Sequence, residues 1–170
     1  MRKIVLTGPE SSGKTSLAKA LAGHYGAPMA PEYARTYLEQ LGRPYEEEDL
    51  LHIARGQLTW EEHHAMEAED WLIVDTSLIV LKVWSEYKYG RCHPFILENL
   101  RTSRYDLFLL CRPDLPWAFD PLREHPDRRA ELYLLYEREL KAYGFPYRVI
   151  SGQGAQRFQN ALTALEKLEF

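Results

Sequence analysis

Apolar residues fall into short unbroken runs separated by longer stretches of helical spacing. Lys3–Thr7, Trp71–Asp75, Asp106–Cys111 and Tyr147–Ile150 are runs of strand length with no polar alternation, as expected of strands covered on both faces. A weaker run, Pro28–Ala30, predicts a fifth strand. Between the runs the period changes. Lys14–Tyr25 puts Leu17, Ala18, Leu21, Ala22 and Tyr25 on one helical face. Glu46 to about Asp70 is long and polar, with Leu50, Leu51, Ala54, Leu58 and Ala65 on one side. Ser77–Tyr89 starts strongly apolar. Pro126–Tyr143 carries Leu132, Leu135, Tyr136, Leu140 and Tyr143 at helical spacing, and Gly154–Leu168 carries Phe158, Ala161, Leu162, Leu165 and Leu168. Strands alternating with helices predict an α/β chain with a mostly parallel five-stranded sheet and helices on both faces.

Such sheets bind ligands beyond the C-terminal ends of their strands. After the first run comes Gly8-Pro-Glu-Ser-Ser-Gly-Lys-Thr15, which fits the phosphate-binding pattern G-x-x-x-x-G-K-[ST] at every fixed position. Gly8 and Gly13 let the backbone curl with its N–H groups inward. Lys14 adds a point charge for the β- and γ-phosphates, and the Thr15 hydroxyl suits Mg²⁺. A helix N-terminus directly behind the loop favours an anion. Gly8, Glu10, Ser11, Ser12, Gly13, Lys14, Thr15 and Ser16 are therefore candidate ATP contacts, within a P-loop NTPase/kinase fold.

The other strand ends also carry polar groups. Asp75 closes an apolar strand, where P-loop proteins hold Mg²⁺; the alternative is that Asp75 or Thr76 caps the next helix. Thr15 and Asp75 are the candidate metal ligands. Glu32 and Arg35 share a helical turn and can accept a hydroxyl proton and neutralise developing charge; the alternative is a surface ion pair. The stretch from Trp117 to Arg129 mixes Asp120, Arg123, Arg128 and Arg129 with two prolines, between a strand and a helix. It reads as a lid flap, about 117–129, whose arginines meet phosphate on closure and exclude water. Arg128 and Arg129 at a helix N-terminus oppose the helix dipole and call for an anion. Trp84 and Tyr87 share a face and can stack on a flat ring or pack in the core. Lys14, Glu32, Asp75 and Arg123 are the catalytic candidates, and either Glu32 or Asp75 can be the base.

Composition narrows the partners. The 170 residues, 45% hydrophobic and 27% charged with a net charge of −4, suit one soluble domain over 1–170. No basic stripe points to nucleic acid. No apolar run approaches membrane-spanning length, and no leader is expected ahead of the first strand. Cys92 and Cys111 form neither a metal pair nor a disulfide framework, which suits a reduced, cytoplasmic protein. The sequence leaves homo-oligomerisation open.

Taken together, Gly8–Thr15, Pro31-Glu-Tyr-Ala-Arg35, Asp75-Thr76, Gly90-Arg91, His93-Pro94-Phe95, Tyr105-Asp106-Leu107, Pro116-Trp117 and Asp120-Pro-Leu-Arg123 resemble the ribosylnicotinamide kinase domain of NadR-type NAD biosynthesis proteins. The resemblance covers nearly the whole chain. It implies a P-loop kinase fold with a short lid, ATP and Mg²⁺ as cofactors, and transfer of the γ-phosphate to the 5′-hydroxyl of nicotinamide riboside. By the same resemblance Glu32, Tyr33, Arg35, Trp60, Trp84, Tyr87, Trp117 and Asp120 are the substrate-binding candidates. The family's ring sandwich uses a tryptophan where this chain has Pro31. Either Trp60, Trp84 or Tyr87 replaces it, or the acceptor is another small molecule.

Overall fold

The computed structural model describes residues 1–168. Five parallel strands form one sheet in the order β2-β3-β1-β4-β5. They are β1 (Arg2–Thr7), β2 (Met29–Ala30), β3 (Trp71–Asp75), β4 (Leu107–Cys111) and β5 (Tyr147–Ile150). The helices are α1 (Lys14–Tyr25), α2 (Tyr33–Leu41), α3 (Glu47–Glu67), α4 (Leu78–Tyr89), α5 (Pro94–Thr102), α6 (Arg129–Tyr143) and α7 (Gly154–Glu166).

The unbroken apolar strands are explained by two cores, one on each face of the sheet. Successive side chains of a strand point to opposite faces. Val5, Leu72, Val74, Phe108 and Leu110 pack under α2 to α6, whereas Ile4, Leu6, Ile73, Leu107 and Leu109 pack against α1 and α7. Almost all of these side chains are fully buried. Each contributes about 1.5–3 kcal/mol relative to exposure.

The elements end where local chemistry ends them. α1 stops at Gly26, whose left-handed φ of 60° closes the last turn. α3 starts with a reciprocal cap between Glu46 and Asp49, one residue inside the run read from the sequence. α4 is capped by Ser77, whose Oγ accepts from Ile79 N–H at 3.4 Å, and not by Asp75 or Thr76. Asp75 is thereby left for other work. α6 begins at Arg129, three positions after Pro126, because residues 126–128 still belong to the turns leading out of the flap.

The order of the sheet puts β1 between β3 and β4. The loop after β1 therefore opens between the ends of its two neighbours. The ends of β2 and β3 bring Glu32 and Asp75 to the same side.

Candidate active site

The phosphate loop is curled, not extended. Gly8 sits at φ 141°, and a Cβ there would lie 2.6 Å from the Cys111 carbonyl at the end of β4. Gly13 sits at φ 76°, and its Cβ would meet Leu115 Cδ1 at 2.8 Å. Both positions need glycine for conformation and for space. Ser12 Oγ donates to the Pro9 carbonyl at 2.7 Å and fixes the bend. Lys14 Nζ donates to the Gly8 and Pro9 carbonyls at 2.9 and 2.8 Å, so its charge lies across the loop.

A residue missed in the sequence braces this loop from behind. Arg157, on α7, is 4% exposed. Its guanidinium donates to the Ser12 carbonyl, to the Arg112 carbonyl at 2.9 Å and to Asp114 Oδ1 at 2.7 Å. Backbone acceptors leave no side-chain pattern, so nothing in the sequence marked it.

Thr15 Oγ1 donates to Asp75 Oδ2 at 2.6 Å. The other oxygen, Asp75 Oδ1, is buried and has no hydrogen-bond partner. Burial raises the Asp75 pKa, opposed by the Thr15 hydrogen bond and the charge of Lys14. An unpartnered buried carboxylate oxygen beside a hydroxyl is a hard-oxygen donor set, which fits Mg²⁺ completed by phosphate and water oxygens. No cluster of three or more His, Cys, Asp or Glu occurs among the described residues. Such a phosphate-shared site does not require one. The residue after Asp75, Thr76, holds a left-handed φ of 67°, unusual for a β-branched side chain. Strain of this kind persists where the surroundings enforce it.

Glu32 is the N-terminal flanking residue of α2, and its carboxylate makes no capping hydrogen bond. Burial raises its pKa above the ordinary 4.5; Lys14 pulls it down, Asp75 pushes it up, and Arg35 and Glu10 follow with smaller opposing effects. The adjoining Tyr33 N–H donates to Gln57 Oε1 at 2.9 Å.

One cavity gathers most of these groups; Asp75 is outside its lining and meets it through Thr15. Gly8 and the loop from Glu10 to Ser16 line it with Glu32, Arg35, Trp84, Tyr87, Arg123, Leu132 and Tyr136. Its space for water-sized groups is about 210 Å³. Not every candidate reaches it. Trp60 does not; it stands edge-on against Tyr33 at 4.9 Å and packs α3 on α2. Tyr33 is held in that contact and lies outside the lining. The Trp117 ring centre lies 5.9 Å from Arg123 Cζ and 5.8 Å from Arg129 Cζ, and Trp117 is not part of the cavity lining. Asp120 pairs with Arg35 at 3.0 Å and so joins flap to α2.

The flap arginines divide as well. Arg123 lines the cavity. Arg128 is turned to the Tyr87 hydroxyl at 2.8 Å. Arg129 donates to the carbonyls of Ser11 at 3.2 Å and Leu115 at 2.8 Å, tying loop to flap root. Neither Arg128 nor Arg129 lines the cavity. Those hydrogen bonds supply the compensation that their place at a helix start requires. Glu10 also differs from expectation. Its carboxylate accepts the N–H groups of Glu124 (3.0 Å) and His125 (3.1 Å), so it ties the phosphate loop to the 117–129 stretch while still lining the cavity.

Comparison with known proteins agrees with this arrangement. Residues 3–157 match the sequence profile of a family described as an AAA domain. The chain is 30% identical over 146 residues to the trifunctional NAD biosynthesis/regulator protein NadR of Salmonella typhimurium, covering 81% of this chain and 35% of that protein. The chain thus spans about a third of the length of the curated relatives it matches. Among solved structures, a NadR protein in complex with NR superposes with a TM-score of 0.83 at 22% identity, over 98% of this chain and 51% of that one. A deoxyadenosine kinase from M. mycoides with bound dATP gives a TM-score of 0.60 at 15% identity, over 98% and 100%. With a curled phosphate loop, a strand-end aspartate on its threonine and a parallel sheet shared with these kinases, the chain belongs to the AAA domain family and has a P-loop kinase-like fold.

Proposed function

We propose that the chain is an ATP-dependent kinase that phosphorylates the 5′-hydroxyl of nicotinamide riboside, giving the mononucleotide in NAD biosynthesis. One observation carries the reading: the phosphate loop, Thr15 and the free carboxylate of Glu32 line a single cavity whose far side is aromatic, with Asp75 hydrogen-bonded to Thr15. The relatives support the acceptor. Their name includes NAD biosynthesis, and a structure of similar fold holds NR.

In this reading the loop amides and Lys14 bind the β- and γ-phosphates of ATP. Lys14 exchanges the Gly8 and Pro9 carbonyls for phosphate oxygens. Thr15 and Asp75 would hold Mg²⁺, which would neutralise charge on the phosphates and orient them. Glu32 accepts the proton of the attacking hydroxyl. Its raised pKa places it nearer the working pH, where a general base is most effective. Arg123 brings a cation to the transferred phosphoryl when the lid over 117–129 is closed. Arg35 orients the lid through Asp120. Trp84 and Tyr87 offer aromatic faces to a cationic pyridinium ring. The chain works as one domain over 1–170 in the cytoplasm, on small molecules and without nucleic acid or membrane partners; no helix among the described residues is long and apolar enough to cross a membrane.

Pro31, where the family has a tryptophan, favours a second reading in which another nucleoside is the acceptor. A coupled ADP-release assay over a nucleoside panel separates the two. The expected result is highest turnover on nicotinamide riboside. Turnover on no nucleoside, with tight ATP binding, would point to a non-catalytic ATP sensor.

A further inference from the structure

The cavity contains a polar group that none of these roles employs. Tyr136 lies on α6 and is 6% exposed. Its side chain belongs to the core under α2 to α6. What remains accessible of it opens on the cavity, beside Leu132 and facing the loop.

Several other tyrosines use their hydroxyls. Tyr37, Tyr45, Tyr87, Tyr105 and Tyr147 each donate to a carboxylate, of Asp49, Glu124, Glu131, Glu61 and Glu137. The Tyr136 hydroxyl makes no hydrogen bond among the described residues. Burial, with Glu10 and Glu32 acting through space, pushes its pKa up, so it stays a neutral donor and acceptor. Its oxygen is not among the buried unpartnered atoms of the described residues, so it opens on the cavity that Tyr136 lines and is available to a ligand there.

Its position says which part of a ligand. The cavity wall that Tyr136 shares includes the phosphate loop from Glu10 to Ser16 and Glu32 at the β2–α2 junction. Trp84 and Tyr87, by contrast, sit on α4 and suit a flat ring. The hydroxyl to be phosphorylated must lie at the loop end of the cavity, and the sugar bearing it lies beside it. We infer that Tyr136 is a specificity-determining residue whose Oη hydrogen-bonds to a hydroxyl of the acceptor's sugar, selecting nucleosides that retain that hydroxyl. The inference rests on the acceptor-kinase reading. It adds a contact outside the residues assigned to that reaction.

The test is calorimetry on the full chain with a non-hydrolysable ATP analogue present. Nicotinamide riboside and its 2′-deoxy and 3′-deoxy forms are titrated into wild type and Tyr136→Phe. Wild type should lose about tenfold on removal of one of the two hydroxyls. Tyr136→Phe should bind the parent riboside about tenfold more weakly, be indifferent to that deletion, and bind the ATP analogue as wild type does. Its ligand-free melting temperature should match that of wild type, since the hydroxyl bonds no protein group among the described residues. Equal riboside affinity in the two proteins overturns the inference. So does undiminished discrimination in the variant, a loss confined to the ATP analogue, or a variant that melts well below wild type. Wild-type ADP release judges the kinase reading separately. Binding without turnover overturns that reading and leaves the contact standing; no binding of any of the nucleosides overturns both.

Discussion

The Tyr45 hydroxyl donates to the Glu124 carboxylate at 2.9 Å, joining the loop before α3 to the lid. The same oxygen accepts from Trp84 Nε1 at 2.9 Å and Lys88 Nζ at 2.6 Å, which uses its full capacity. The backbone N–H of Glu124 is meanwhile held by Glu10 of the phosphate loop. One lid residue is thus gripped from the nucleotide side and from the aromatic side of the cavity. Tyr45→Phe keeps the edge contact with Trp84 at 4.9 Å and the Lys88 contact over the ring at 3.9 Å. It removes the donor to Glu124 and the acceptor used by Trp84 Nε1 and Lys88 Nζ, while Lys88 keeps its ion pair with Glu124 at 3.6 Å. A hydrogen bond to a partly exposed carboxylate is worth about 1 kcal/mol, so the lid should open about fivefold more often. Acceptor-independent ATP hydrolysis should rise by that factor, with ATP affinity unchanged. The ratio of ADP formed to acceptor phosphorylated measures it, and an unchanged ratio would mean the Tyr45 hydroxyl does not latch the lid.

Asp75→Asn tests the metal pair. Asparagine preserves the shape and can still accept from Thr15 Oγ1, but it loses the charge on the buried unpartnered oxygen. Turnover should fall by about 10²–10³, and half-maximal Mg²⁺ should move upward by at least tenfold. Affinity for ATP without magnesium should hold or tighten, because a buried negative charge has left the site. A drop in turnover with the same Mg²⁺ requirement would remove Asp75 from metal binding.

Glu32 predicts a pH profile. Its folded pKa lies above 4.5 chiefly through burial, and a base works only when deprotonated. In wild type kcat/KM should therefore rise with pH through that elevated value, an acidic limb lying above the range of an exposed glutamate. Glu32→Gln should lower turnover by about 10²–10⁴ and erase the limb. If the limb persists in the variant and moves instead in Asp75→Asn, the base is Asp75.

The strands were legible because burial on both faces demands unbroken apolar runs. β3 and β5 have the expected bounds, while β4 starts at Leu107 because Asp106 turns its carboxylate to the Lys3 N–H at 2.7 Å. α5 was not read as a helix. Only Ile96 and Leu100 are buried on it, too few for a period, although Pro94 at its start and the His93 cap were available signals. The phosphate loop was legible because its geometry forces particular residue types at fixed offsets. The lid was legible only in outline. Glu10, Arg129 and Arg157 act through backbone groups, and Tyr45 meets Glu124 across 79 positions, so no local spacing encodes them. Trp60 was misplaced for the same kind of reason. Helical spacing says which face of α3 it shares, not that Tyr33 covers it.

Gly56 supplies a test of how α2 is seated. A Cβ there would run into the Tyr33 ring. Gly56→Ala would gain helix propensity of about 1 kcal/mol, but overpacking at a ring that cannot leave Trp60 costs about 1–3 kcal/mol. The net change should be destabilising, read as a lower denaturation midpoint. Because Tyr33 follows Glu32 directly, turnover should fall more than ATP affinity. A variant as stable and as active as wild type would show that Tyr33 moves freely.

Away from the cavity, Glu61 predicts how stability depends on pH. It is 4% exposed, takes the Tyr105 hydroxyl at 2.8 Å on Oε2, and leaves Oε1 buried without a well-formed partner. Burial raises its pKa from 4.5 to about 7, against the Tyr105 hydrogen bond and the charge of Lys3. The folded chain then holds this proton more tightly than the unfolded chain does. Its contribution is fully present below pH 4.5, is lost as pH rises towards about 7, and is absent above. The interval corresponds to about 3 kcal/mol. Glu61→Gln keeps an acceptor for Tyr105 and has no proton to lose. Urea midpoints should therefore nearly coincide for the two proteins at pH 5, where wild type is still protonated when folded. At pH 8 the variant should be the more stable by about 2–3 kcal/mol, as a higher midpoint at equal m-value. Wild type and variant falling in parallel from pH 5 to pH 8 would mean that Glu61 is ionised in the folded chain throughout, with its charge compensated by Lys3 and Gln57.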